Sequence, residues 1–180
     1  NASKTYGGTF DGQGHVIENL FITKSADRVG LFGQVNDGII KNLSITGKIT
    51  ISEEYSGQKQ AIVGGFAGYF VGTIQNCKNA VDITLAGLKV KVTRIGGICG
   101  INGVQTESLI ESCENFGNIE CEINPSVRGS LVSGGISANN GITSKIESCH
   151  NVGSVKAHIT GPGRVRTAGI TNITGYKEGV

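Results

Sequence analysis

One eight-residue phrase occurs three times in this chain, and the spacing of its copies constrains the fold more than any other feature. The copies are IQNCKNAV from Ile74, IESCENFG from Ile110 and IESCHNVG from Ile146. Their cysteines are separated by 36 residues and then by 36 again, at Cys77, Cys113 and Cys149. A fixed period of roughly 20 to 50 residues is typical of solenoids, propellers and other repeat arrays.

Related phrases extend the repeat in both directions. Two earlier segments carry leucine in the cysteine slot: IENLFITK with Leu20 and IKNLSITG with Leu43. A second phrase precedes the later copies, as VGLFG from Val29, VGGFAG from Val63, IGGICG from Ile95 and SGGISA from Ser133. The chain is therefore predicted to be one domain, a piece of a longer protein, with units near residues 6–26, 27–59, 60–92, 93–130, 131–165 and 166–180.

Each unit is predicted to consist of strands. Apolar Ile119, Cys121 and Ile123 alternate with Glu120 and Glu122, which is the period of a strand. The chain holds 22 Ile, 15 Val and 14 Thr but only 7 Leu, and β-branched residues favour strands. A propeller blade needs four strands, whereas each unit offers two or three. We predict an all-β, right-handed parallel β-helix of about five coils, with one repeat of about 35 residues per coil.

Stacked coils place residues of one repeat position above one another, about 4.8 Å apart. The predicted inward column is Leu20, Leu43, Cys77, Cys113 and Cys149. Its cysteines are expected to be free and buried, because an unpaired cysteine packs as a small hydrophobe. A disulfide or a metal site is the alternative, although no CxxC or HExxH motif occurs and stacked side chains suit a disulfide poorly. A second predicted column, with amides bonded above and below, is Asn79, Asn115 and Asn151.

These phrases resemble the GLUG-motif repeat family. The most specific parts are GGTFDGQGH, which begins at Gly7, and VGLFG at Val29, and the resemblance covers nearly the whole chain. Such repeats occur in large bacterial surface or secreted proteins, including adhesin-like proteins and non-catalytic regions of IgA-protease-type metallopeptidases. The resemblance implies a β-solenoid and an extracellular or cell-surface setting. It implies no reaction.

No catalytic residue, metal ligand or cofactor site is predicted. Glycoside hydrolysis needs two convergent carboxylates. Glu18, Glu111 and Glu147 share a predicted column, with Lys41 and Gln75 between them, but this column is expected to face solvent. Asp11 is predicted to be a turn residue rather than a cation ligand. The net charge of +2 does not indicate a nucleic-acid partner, and no membrane span is predicted.

The variable inserts carry basic residues, which are predicted to lie along one edge of the stack as a possible stripe for an anionic glycan or cell-wall polymer. The stripe comprises Lys59, Lys89, Lys91, Arg94, Arg128, Arg164 and Arg166. The alternative is that these charges deter edge pairing between sheets.

Three functional interpretations remain. The first is a non-catalytic scaffold or adhesive stalk, with adjacent repeats or further copies of the chain, joined end to end, as partners. The second is a module that binds anionic glycans. The third is a non-catalytic region of a secreted protease or polysaccharide-degrading enzyme.

Overall fold

The described part of the chain folds into twenty strands, many of them joined by short turns. The computed structural model describes residues 5–24, 26–52, 60–104, 106–126 and 128–176, and no helix occurs in these ranges. The strands are β1 (Thr9–Asp11), β2 (Val16–Ile22), β3 (Arg28–Val29), β4 (Phe32–Lys41), β5 (Ser44–Ile51), β6 (Gln60–Gly64), β7 (Ala67–Gln75), β8 (Lys78–Leu88), β9 (Val92–Gly96), β10 (Cys99–Asn102), β11 (Leu109–Glu111), β12 (Glu114–Asn115), β13 (Ile119–Ile123), β14 (Gly129–Gly134), β15 (Ser137–Gly141), β16 (Lys145–Glu147), β17 (His150–Asn151), β18 (Val155–Ile159), β19 (Gly163–Ala168) and β20 (Thr171–Tyr176).

The strands form three sheets that run along the stack. Sheet A contains β1, β4, β7, β10, β11, β15, β16 and β20; sheet B contains β2, β5, β8, β12, β13, β17 and β18; sheet C contains β3, β6, β9, β14 and β19. Each strand lies beside its counterpart in the next coil, and the pairings between named strands are parallel in the described residues. The five strands of sheet C are separated by four turns of the chain. The prediction of an all-β parallel β-helix with about five coils is confirmed.

The interior between the three sheets is filled by β-branched and other aliphatic side chains. One continuous hydrophobic cluster extends from Val29 to Ile136, with Phe66 and Phe70 as its largest members. The second phrase of the repeat is in register across sheet C, where Val63 pairs with Val29 and Ile95, and Ser133 pairs with Ile95. Because each coil contacts its neighbours through this core, burial stabilises the stack as one body.

A left-handed residue precedes the cysteine slot in each of the later coils. Asn42, Asn76 and Ser112 have φ of 52°, and Ser148 has φ of 49°. Asparagine adopts this conformation readily, whereas it is uncommon for serine. The sharp bend separates sheet A from sheet B.

The inward column begins at Leu43, not at Leu20. Because Ser44 pairs with Lys78, and Glu114 pairs with both Lys78 and His150, the preceding residues Leu43, Cys77, Cys113 and Cys149 stack. Leu20 is opposite Gly47 in the β2–β5 pair, four residues further along the second coil than Leu43. The prediction is corrected at Leu20. The phrases IENL and IKNL match in letters, but the loop at residues 12–15 displaces the first from the register of the second.

The five cysteines are free, and four of them are buried. In the column, the Cys113 thiol donates to the carbonyl oxygen of Glu111 at 3.2 Å, and the Cys149 thiol donates to that of Glu147 at 3.2 Å. Cys149 is only half-buried, which corrects the expectation that each thiol is hidden. Burial raises the pKa of Cys99 to about 12, and burial also raises the pKa of Cys121. When Cys149 is ionised, the Cys113 thiol donates to it instead of to Glu111, and this hydrogen bond lowers the pKa of Cys149 to about 7.

We expect one of the five thiols to react rapidly with a thiol reagent in the folded protein near neutral pH. The thiolate is the reactive form, and Cys149 combines the accessible sulfur with the lowered pKa. Absorbance during reaction with a chromogenic disulfide should show one fast equivalent, and the other four thiols should react only after denaturant is added. The variant Cys149→Ser should abolish the fast phase. A fast phase that survives this substitution would contradict the assignment.

The asparagine column is a buried ladder of amides. Nδ2 of Asn79 donates to Oδ1 of Asn115 at 2.7 Å, and Nδ2 of Asn115 donates to Oδ1 of Asn151 at 2.7 Å. Nδ2 of Asn115 also donates to the carbonyl oxygen of Gly117 at 2.9 Å, two residues further along the same coil. The ladder ends at Ile45, which occupies the same position beneath Asn79. Asn79 and Asn115 have no exposed surface, so these hydrogen bonds offset the cost of burying the amides.

Glycines at the corner between sheets C and A make room for this ladder. A methyl group on Gly65, Gly97 or Gly135 would overlap the amide of the asparagine in the same coil. At Gly97 it would also overlap the carbonyl oxygen of Gly135 in the next coil. The repeated Gly-Gly pair therefore has a packing role as well as a turn-forming one.

A second pair of stacked amides lies in sheet A and has no counterpart among the predicted columns. Nδ2 of Asn102 donates to Oδ1 of Asn140 at 2.7 Å, and the Ser108 hydroxyl donates to Oδ1 of Asn102 at 2.6 Å. Phe70 and Val35 occupy this position in the two preceding coils. The column therefore changes from apolar to polar along the stack.

Candidate functional site

Charged residues on the outer face of sheet A are paired between coils. Asp11, Lys41, Gln75, Glu111 and Glu147 form one column. Asp11 contacts the Lys41 ammonium at 3.3 Å, and the Gln75 amide donates to Glu111 at 3.0 Å. Hydrogen bonds from the Gln13 backbone N–H and the Asn42 side chain, with the Lys41 charge, hold the pKa of Asp11 below its ordinary value.

Glu18 does not belong to this column, which corrects the expectation that it stacks with Glu111 and Glu147. Glu18 lies in β2 of sheet B, where the pairing with β5 shifts register between Ile17 and Leu20. The first coil contributes Asp11 to the column instead, because Asp11 pairs with Lys41 in sheet A. The Gln13 backbone N–H donates to Asp11 Oδ1 at 3.0 Å, which is the hydrogen bond of a turn residue.

The outer face of sheet B is paired in a similar way. Lys78 contacts Glu114 at 2.9 Å, and Asp82 Oδ1 accepts from the Asn118 side chain at 3.2 Å. In the next column Glu120 lies between Thr84 and Lys156. Such exposed pairs contribute little stability individually, but they oppose the charges of Lys41 and Lys78 on these two faces.

The outer face of sheet C differs, because four of its basic residues converge with no acidic partner among the described residues. Four residues of the predicted stripe line one open groove of about 410 Å³, namely Lys91, Arg128, Arg164 and Arg166. We call it the basic groove. Val92, Gly129 and Ser130 complete its lining. Among the described residues, none of the four cations forms an ion pair.

Strand register positions these side chains. Ser130 pairs with Val92 on one side and Arg164 on the other, so the groove floor crosses three coils. Val165 pairs with the buried Leu131 and therefore lies on the inner face of sheet C, although its own side chain is 40% exposed. Arg164 and Arg166, on either side of Val165, therefore lie on the outer face. Lys91 and Arg128 immediately precede β9 and β14, and the Lys91 carbonyl oxygen accepts the Ser130 N–H at 2.9 Å.

The other three residues of the predicted stripe lie elsewhere. Lys89 is exposed between β8 and β9 and does not line the basic groove. Arg94 shares a column with Val132 and Arg166, but its Nε lies 2.9 Å from the side-chain amide of Asn139, at the corner between sheets C and A. Lys59 is outside the described residues. Four of the seven predicted residues thus line one groove across three coils, and the described residues do not form a continuous stripe along the stack.

Sequence reasoning missed Val92 and Ser130 as members of this site, although a signal was available. Each stands three residues before the second phrase of its unit, at Ile95 and Ser133, and Arg164 stands three residues before Thr167. Extending the alignment of that phrase backwards would have placed the three in one column.

A second open depression, on sheet A, has mixed charge. Its volume is about 450 Å³, and its lining includes Glu107, Ser108, Lys145 and Glu147. Lys145 and Glu147 contact each other at 3.8 Å. Its lining holds two carboxylates and one ammonium, so opposite charges partly cancel there, whereas the charges lining the basic groove are all positive. No three side chains of metal-ligating type converge anywhere in the described ranges.

Comparison with known proteins gives one partial similarity. A segment of 115 residues, covering 58% of this chain, is 33% identical to halomucin of Haloquadratum walsbyi. The chain spans only 1% of the length of that relative. No protein-family model matches the chain, and no solved structure matches it. Among the residues that the structure describes, there is no helix with the length and apolar character needed to cross a membrane.

Proposed function

We propose that this chain is a non-catalytic repeat scaffold within a large surface or secreted protein, where it serves as a stalk, spacer or adhesive module. The observation that carries this proposal is the uninterrupted pairing between coils, which runs through sheet C from β3 to β19. A body built in this way extends by adding coils, because each coil is held by its nearest neighbours.

The partial similarity to halomucin supports the same proposal. The matched segment is 1% of that protein, so halomucin is roughly a hundred times longer than the segment. A sequence of this kind therefore occurs inside a very long chain. The name halomucin is that of a mucin-type protein, which supports an extracellular setting.

Two further parts of the proposal rest on the repeat. Membership of the GLUG-motif family stays a prediction, supported by the segments GGTFDGQGH and VGLFG. The expected partners are adjacent repeats or further copies of the chain, because the strands at either end of a solenoid offer unpaired backbone groups to another coil.

Cell-surface labelling tests the proposed setting. An antibody raised against this chain should label intact cells of the organism that encodes it or detect the protein in the culture medium, and detection only in permeabilised cells would contradict a surface or secreted location. The non-catalytic part is tested with the purified chain and acidic or neutral polysaccharides. Release of new reducing ends, above that of a boiled sample, would show that the chain is an enzyme.

A further inference from the structure

We infer that the basic groove is a binding site for an acidic polysaccharide, with its carboxylate or sulfate groups held by Lys91, Arg128, Arg164 and Arg166. This inference goes beyond the scaffold role and rests on the groove alone. The four cations approach one depression from three successive coils, whereas Lys41, Lys78 and Lys145 on the other two sheets each contact a carboxylate.

The first argument concerns charge. A cation that has no partner in the folded protein retains its full attraction for an external anion. Three of the four residues are arginines, and the planar guanidinium can form two parallel hydrogen bonds to one carboxylate or sulfate group. The chain as a whole has a net charge of only +2, so the attraction is a local property of this groove.

The second argument concerns shape. The groove is open and follows the direction in which the coils stack, because its lining residues come from the coils of β9, β14 and β19. Adjacent coils are about 4.8 Å apart, so the basic groups span about 10 Å along the stack. An extended polymer with regularly spaced charges can contact several coils at once, whereas a small anion can contact only one or two of the cations.

The third argument separates a polysaccharide from a nucleic acid. Proteins that bind single-stranded nucleic acids stack the bases on aromatic side chains. Among the residues that the structure describes, none that lines the groove is aromatic, so bases would gain no such contact from them. The exposed Ser130 hydroxyl can both donate and accept a hydrogen bond, which suits the hydroxyl groups of a sugar chain.

Binding of four polymers to the full chain tests this site by calorimetry or biolayer interferometry. The probes are polygalacturonate for carboxylate, dextran sulfate for sulfate, unmodified dextran as the neutral control, and a single-stranded DNA oligonucleotide as the phosphate control. We expect one or both acidic polysaccharides to bind, and dextran to show no binding. Raising NaCl from about 0.05 M to about 0.5 M should weaken the interaction, because salt screens exposed charges.

A matched pair of variants assigns the binding to the groove. The variant Arg128→Gln/Arg164→Gln/Arg166→Gln should bind the acidic polysaccharide at least about tenfold more weakly, because it loses three charge-assisted contacts. The control Lys48→Gln/Lys78→Gln/Lys156→Gln removes the same charge from the outer face of sheet B and should bind as the parent chain does. Thermal unfolding of both variants verifies that they are folded.

Three results would overturn the inference. Absence of binding to both acidic polysaccharides at low salt would exclude the site. Equal weakening in the two triple variants would show that only net charge matters. Binding of the DNA as tight as that of the polysaccharides would show that the groove attracts any polyanion. None of these results bears on the surface-labelling experiment, so the scaffold proposal stands or fails separately.

Discussion

Replacing Gly97 with alanine is expected to lower the free energy of unfolding by about 3 kcal/mol or more, the upper range for a group forced into a packed interior. The added methyl group would overlap the Asn115 amide and the carbonyl oxygen of Gly135. The Asn115 side chain cannot move away, because its amide is hydrogen-bonded to Asn79 in one neighbouring coil and to Asn151 in the other. The backbone of the next coil would also have to shift. Urea denaturation followed by circular dichroism measures the change.

Gly169→Ala is the matched control, because Gly169 occupies the same repeat position as Gly97. A methyl group there meets no atom within 4 Å in the described structure. We expect a change within about 1 kcal/mol, on the stabilising side, since alanine reduces the conformational freedom of the unfolded chain. Equal destabilisation of the two variants would show that the corner glycines are required for turn geometry rather than for space beside the ladder.

The second large effect is expected for Asn115→Leu. Leucine has a similar size but can neither donate nor accept, so Asn79 loses its acceptor and Asn151 loses its donor. Asn79 is fully buried, and a buried polar group left without a partner costs about 1–3 kcal/mol. With both neighbours affected, we expect a loss of about 3 kcal/mol in the free energy of unfolding.

The control for this variant is Asn36→Leu. Asn36 is exposed on β4, so its side chain is solvated in both the folded and unfolded states. We expect this substitution to change stability by no more than about 0.5 kcal/mol. If the two variants lose the same stability, the loss reflects the general cost of removing an asparagine, and the ladder contributes no more than a surface residue.

The repeat predicted the fold because its period and its alternation agree. The spacing of 36 residues predicted the length of one coil, and the alternation of apolar and charged residues around Cys121 predicted a strand, which is observed at Ile119–Ile123. The prediction went wrong at Leu20, where similar letters concealed a shifted register. A match of four residues cannot reveal a loop that displaces one strand relative to the next. Only the hydrogen-bonded pairing identifies which residues are neighbours.

The buried pair of Asn102 and Asn140 shows a different limit. Their separation is 38 residues rather than 36, and the equivalent position in earlier coils is the apolar Phe70 or Val35. A column that changes chemistry halfway along the stack produces no repeated letter in the sequence. It becomes visible only when the insert length of each coil is known.

The sequence predicted which basic residues could take part in the site, but not which of them line the basic groove. Arg94 and Arg166 occupy the same repeat position, yet Arg94 contacts Asn139 at the sheet corner while Arg166 lines the groove. The shared repeat position predicts that both arginines lie on the same face of sheet C. Only the tertiary contacts show that one side chain lies at the sheet corner and the other in the groove.

The pairing of corner glycine with ladder asparagine has a consequence for how such proteins evolve. Gly65 and Asn79 belong to one repeat unit, as do Gly97 and Asn115, and Gly135 and Asn151. A tandem duplication of about 36 codons would therefore copy both partners together and insert a coil that already fits above and below. Unequal recombination could lengthen or shorten the protein in steps of about 4.8 Å without new compensating mutations. The number of coils is then a trait on which selection can act directly, one coil at a time.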